Sequence, residues 1–115
     1  MPMYLHQWRY NPSAVRAMVS QPQPRADVVK VAAHAFGGTI HGFYFCLGEY
    51  DGVAVSEFPD DETAMAFLMT VVAEGGLVYT NTTKLLSTQQ AVGAMELAHQ
   101  AVTHYAAPSG SSGRG

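Results

Sequence analysis

Two glycine pairs, Gly37-Gly38 and Gly75-Gly76, limit the folds open to this chain more than any other feature. Each closes a stretch whose apolar residues recur at helical spacing, and each is followed at once by a β-branched or aromatic run. Glycine accepts the left-handed backbone that ends a helix, so both pairs read as helix stops that release the chain into a strand. Such a chain is assembled from helix-then-strand units. What lies before and between the pairs decides how many.

Ahead of the first pair stands MYLHQWRY, residues 3–10, an aromatic-rich stretch with the period of a strand. Alternation puts Tyr4, His6, Trp8 and Tyr10 on one face and Met3, Leu5, Gln7 and Arg9 on the other. Asn11 then caps a short helix that begins with Pro12 and runs to Val19. After QPQPR, Pro24 opens a longer helix over ADVVKVAAHAF, with Val28, Ala32, Ala35 and Phe36 as its core stripe. Between the two pairs come a second strand, TIHGFYFCLG (39–48), and a third, GVAVSEF (52–58). The helix PDDETAMAFLMTVVAEGG follows, capped by Asp60, with Asp61 and Glu62 beside its first-turn amides. Its core stripe is Ala64, Phe67, Leu68, Val71 and Val72. LVYTNTTKLL (77–86) makes a fourth strand, a last helix spans Thr88–Tyr105, and residues 106–115 read as a disordered tail. The order is β-α-β-β-α-β with an added C-terminal helix. That is an α+β, ferredoxin-like sandwich, one domain over residues 1–105, with strand order 4-1-3-2.

GEYDG, residues 48–52, raises a choice between two hairpin turns. Asp51-Gly52 suits a type I′ turn, and Gly48-Glu49 a type II′ turn with Gly48 at positive φ. The second is preferred, because it sets Phe43 across from Ala54, Tyr44 from Val53 and Phe45 from Gly52, large against small. Asp51 then lies near Trp8-Arg9-Tyr10, where it holds Arg9, a backbone amide or a ligand.

Charged residues make up 13% of the chain, about half the usual share. So few charges leave apolar surface for another subunit, and the helices can cover only one sheet face. A homodimer or higher homo-oligomer is expected, with sheets face to face as a dimeric α+β barrel. The net charge is -3 and no two of the six Lys and Arg residues are adjacent, which argues against nucleic acid. No apolar run reaches the length of a membrane span. The N-terminus shows no secretory pattern and Cys46 is the single cysteine, which points to the cytoplasm.

MYL at 3–5, GG at 37–38, FYF at 43–45, GEYD at 48–51 and PDDE at 59–62, with a looser AEGGLVYT at 73–80, resemble the GYD domain family. These are small bacterial proteins of largely unknown function, and the resemblance covers residues 2–100. It implies a ferredoxin-like α+β barrel and brings no catalytic residues with it. Where members carry an arginine after the second long helix, this chain has Tyr79, and Gly52 replaces an aliphatic residue.

His6, Trp8, His41, Tyr44, Tyr50 and Asp51 are the candidate ligand-cavity residues. Histidine titrates near neutrality, so His6 and His41 are the candidates for proton transfer. Asp51 can orient a histidine, and Tyr44 and Tyr50 can wall a planar ligand. Parity puts His6 on the Trp8 face and His41 on the Phe43 face. No HxxxH, HxH or CxxC spacing occurs, so neither a metal nor another cofactor is expected. Cys46 sits within an apolar strand as a small hydrophobe. Two function classes remain: an oligomeric protein binding a small ligand between sheet and helices, or a cofactor-free enzyme of the monooxygenase or isomerase type. The second would act on a small aromatic or polar organic molecule.

Overall fold

The computed structural model describes residues 1–102 and 105–108. Its elements are β1 (Met3–Tyr10), α1 (Pro12–Ser20), α2 (Arg25–His34), β2 (Thr39–Phe45), β3 (Gly52–Glu57), α3 (Asp61–Ala73), β4 (Leu77–Leu85) and α4 (Thr88–Ala101). The four strands form one antiparallel sheet in the order β2-β3-β1-β4, as the ferredoxin-like topology requires. The chain divides into two compact units, Met1–Leu85 and Leu86–Gly115.

The expected barrel is corrected by the sheet itself. β2 and β4 are edge strands with one neighbour each, so the sheet is open. Four strands cannot close on themselves, because closure needs enough strands for tilt and stagger to bring the first edge round to the last.

Local chemistry accounts for the helix ends. Asn11 Oδ1 accepts from the Ala14 amide at 2.8 Å, with Pro12 in the first turn of α1. Asp60 Oδ1 accepts from the Thr63 amide at 2.8 Å, and Thr63 Oγ1 accepts from the Asp60 amide at 3.4 Å, completing a capping box on α3. Ser87 and Gln90 make the same reciprocal pair at the start of α4. α2 ends with the Gly38 amide donating to the Ala33 carbonyl and the Gly37 amide to the His34 carbonyl, with Gly37 at φ 75°. Gly75, at φ 86°, plays the corresponding part after α3.

The alternation of β1 is that of the sequence: Tyr4, His6 and Trp8 are buried, and their odd-numbered neighbours only half so. α1–α3 belong to that face. The core gathers Tyr4, Ala33, Ile40, Phe58, Ala64 and Phe67, with the Phe58 and Phe67 rings 5.1 Å apart. α2 is turned by one residue from its expected stripe. Val29, Ala32, Ala33 and Phe36 face the core, while Val28 is half-exposed and Ala35 exposed. Both stripes have helical spacing, and the contact with Ile40 and Phe58 selects the inner one. In α3, Val72 likewise stays 45% exposed.

The hairpin register is the one preferred from sequence: Phe43 opposite Ala54, Tyr44 opposite Val53, Phe45 opposite Gly52. The turn is not type II′. Gly48 does not have a positive φ, and the strands end at Phe45 and Gly52, so residues 46–51 form a wider loop held by the Cys46 amide donating to the Asp51 carbonyl at 2.9 Å. The ring nearest Gly52 is that of Trp8. A β-carbon there would fall inside the indole of Trp8, its cross-strand partner on β1. The final helix ends at Ala101 rather than Tyr105. His104 and residues 109–115 of the expected tail lie outside the described residues.

Candidate functional site

Between the helix-covered face of the sheet and α1–α3 lies a hollow of about 580 Å³, partly open to solvent. The sheet supplies His6, Trp8 and Tyr10 from β1, Ile40 and Phe43 from β2, Ala54 from β3, and Leu77 and Thr80 from β4. The helices add Ala14, Ala17 and Met18 from α1, Arg25, Val28, Val29 and Ala32 from α2, and Phe67, Leu68, Val71 and Glu74 from the α3 segment. The lining is mostly apolar, with its polar groups few and set apart.

His6 is 5% exposed and both of its ring nitrogens are engaged. Nε2 lies 2.6 Å from Ser56 Oγ on β3, and Nδ1 lies 2.9 Å from Thr82 Oγ1 on β4. In the neutral ring one nitrogen donates and the other accepts, and the two hydroxyls supply the complementary roles. Burial lowers the imidazole pKa to about 4, because the charged form loses its water and gains no anion in exchange. Phe67 meets the ring edge to face at 6.2 Å and Tyr4 lies parallel to it at 6.3 Å. A neutral histidine joined to two hydroxyls fastens β3, β1 and β4 together beneath the hollow. Ser56 is fully buried, so its pairing with His6 presents no exposed nucleophile.

Of the six residues singled out in the sequence, the hollow collects His6 and Trp8. His41 is on the opposite face. β2 carries a bulge between Ile40 and Gly42 that makes His41 a surplus residue and shifts the parity assumed for it. Its Nε2 lies 2.8 Å from Glu57 Oε1, in a solvent-facing pair. Tyr44, opposite Val53, is 64% exposed on that same face. Asp51 and Tyr50 secure the 46–51 loop. Asp51 Oδ2 accepts from the Tyr10 amide at 3.0 Å, and the Asp51 amide donates to the Trp8 carbonyl at 2.8 Å. Arg9 sits over both Tyr50 and Tyr79, with its guanidinium carbon 5.7 and 5.6 Å from the ring centres, and donates through Nε to the Glu49 carbonyl at 2.9 Å. Tyr79 thus has a structural contact at the position where the family resemblance suggested an arginine. Among the described residues no group of three or more His, Cys, Asp or Glu side chains converges as a metal site.

Tyr10 and Arg25 line the hollow and were not singled out. Tyr10 was within reach, since it shares the alternating face of His6 and Trp8. Arg25 gave no signal, because seating the start of α2 over the sheet is a tertiary matter.

Fold and hollow together define a small ferredoxin-like α+β domain with one face of its sheet covered by helices. The chain belongs to the GYD domain family, whose domain matches residues 4–95. No curated protein matches it. Among solved structures it is similar to MtbAldR, at 16% identity and TM-score 0.55, over 75% of this chain and 52% of that one. It therefore spans about half the length of that protein. It is also similar to TTHA0845 from Thermus thermophilus, at 18% identity and TM-score 0.53, covering 76% and 95% of the two chains. At these identities the likeness is one of fold. No helix among the described residues is long and apolar enough to cross a membrane.

Proposed function

We propose that the chain binds a small, largely apolar molecule between the sheet and α1–α3, and that it works in the cytoplasm as a homodimer or higher homo-oligomer. The observation that carries this reading is the apolar hollow of about 580 Å³, a size and lining typical of small-ligand sites. Trp8, at its floor, offers a flat surface for stacking. The alternative, a cofactor-free oxygenase or isomerase, is less well supported. His6 is the imidazole that reaches the hollow, and one of its two hydroxyl bonds would have to break before it moved a proton. Self-association is supported by the other sheet face, where Leu5, Val53 and Val55 are half-buried and Tyr44 is exposed. The single cysteine accords with a reducing compartment, and the scattered cations accord with a partner other than nucleic acid.

Trp8 is the chain's one tryptophan, so its emission reports directly on the hollow. Titration with 2-naphthol, followed by calorimetry and by Trp8 emission, should saturate at one molecule per chain. Ala32→Phe, which fills the hollow from α2, should abolish that response. An unresponsive Trp8 in the wild-type protein, or undiminished binding by Ala32→Phe, would show the reading to be wrong. Light scattering that gives the mass of one chain at micromolar concentration would remove self-association.

A further inference from the structure

The charges around the hollow are unequal in setting. Arg25, the first residue of α2, is half-buried in its wall. It is the one Lys or Arg among the described residues lining the hollow. Its Nη1 donates to Gln23 Oε1 at 3.0 Å, a neutral acceptor. The ion pairs among the described residues are Arg9–Glu49, His41–Glu57 and Lys84–Asp61, and none involves Arg25. The guanidinium therefore makes no ion pair among the described residues and keeps most of its fork of N–H donors available. Tyr10 is close enough to feel that charge. Burial raises its phenol pKa above 10.0, against the opposing pull of a hydrogen bond from Trp8 and the charge of Arg25, so the hydroxyl stays protonated at neutral pH and can donate as well. Most of the remaining lining is apolar, with Phe43, Val29 and Phe67 in it.

Resting on the binding reading above, we infer that the ligand is a small apolar monocarboxylate, its two oxygens on Arg25 and Tyr10 and its hydrocarbon body in the hollow. A guanidinium matches a carboxylate through two parallel hydrogen bonds, which a neutral group cannot reproduce. Glu74, exposed at the C-terminal end of α3, also lines the hollow and would repel a second carboxylate. An acid of this kind comes either from an aromatic source or from a short fatty chain. The two share the head and differ in the body.

The test titrates the protein with phenylacetate and octanoate and with their uncharged amides, phenylacetamide and octanamide, reading Trp8 emission. In the wild-type protein at least one acid should bind about tenfold or more tightly than its amide, as expected of hydrogen bonds to a charged group. Whichever acid shows the larger gap identifies the body. Arg25→Gln should bring the acid to within about twofold of the amide, which corresponds to a loss of most of that hydrogen-bond energy, and leave the amide's affinity in place. Arg25→Lys, which keeps the charge but loses the fork, should retain part of the gap. Equal affinities for acid and amide, a gap that survives Arg25→Gln, or acids that fail where 2-naphthol binds would each overturn the carboxylate and leave binding in the hollow intact. Silence from all four compounds and from 2-naphthol would overturn both.

Discussion

Acidification from pH 7 to pH 4 should remove about 3 kcal/mol of stability through one side chain, His6. In the folded protein its imidazole takes a proton only near pH 4, and in the unfolded chain near its ordinary 6.5. Between those values the unfolded state binds more protons, so stability falls as the pH falls from 6.5 towards 4 and then levels off. The structural cause is the site itself: a ring 5% exposed, among Tyr4 and Phe67, held by hydroxyls that carry no charge to offset a proton. Urea unfolding followed by Trp8 emission measures this at a series of pH values. With a slope of about 1 to 3 kcal/mol per molar urea, the midpoint should drop by roughly 1 to 3 M. His6→Gln is the control. It should be less stable at pH 7, where a hydroxyl partner is lost, and its stability should change much less between pH 6.5 and 4. Every other group is common to both proteins and cancels in the comparison. Asp61, held below its ordinary 3.8 by the Tyr4 hydroxyl and Lys84, acts only at lower pH. Parallel pH profiles for the two proteins would refute the argument.

Gly52→Ala should destabilise by about 1 to 3 kcal/mol, because its β-carbon would fall within the Trp8 ring and the floor of the hollow would have to shift. Gly48→Ala, four residues earlier, has open space and a backbone free of positive φ, so chemical denaturation should find it neutral or stabilised by up to about 1 kcal/mol. Asp51→Ala leaves the Tyr10 amide without its acceptor and should cost about 1 to 2 kcal/mol, with Asp51→Asn recovering much of the loss in the same melts.

The topology was legible because each of its signals is local. Asn11, Asp60 and the two glycine pairs mark helix ends by their own backbone chemistry, and the alternation of MYLHQWRY needs no partner to declare its faces. The hairpin register was legible too, since bulky and small residues must face each other across it. The turn type was not, because the Arg9 and Asp51 contacts that shape the loop come from β1. The helix-covered face of β2 misled for a related reason. A bulge is a property of a pair of strands, so strict alternation placed His41 with Phe43 when it lies with Glu57. The candidate site was legible to the extent that it rests on β1, which carries His6 and Trp8. Tyr44, Tyr50 and Asp51 went elsewhere because strand aromatics and a loop acid serve packing and loop closure equally well. The dimeric barrel was expected from the low charge and from apolar residues on both sheet faces, and neither carries information about whether a sheet closes.

The surplus residue in β2 also bears on how this chain can change in length. Deleting His41 would leave Ile40 opposite Ser56, Gly42 opposite Val55 and Phe43 opposite Ala54, an unbroken ladder with Ile40 and Phe43 still turned inward. The same loss within Leu5–Gln7 of β1 would throw His6 or Trp8 onto the opposite face, since a slip of one residue exchanges the sides of a strand. One-residue gains and losses in descendants of this sequence should therefore accumulate around position 41 and be purged from the centre of β1.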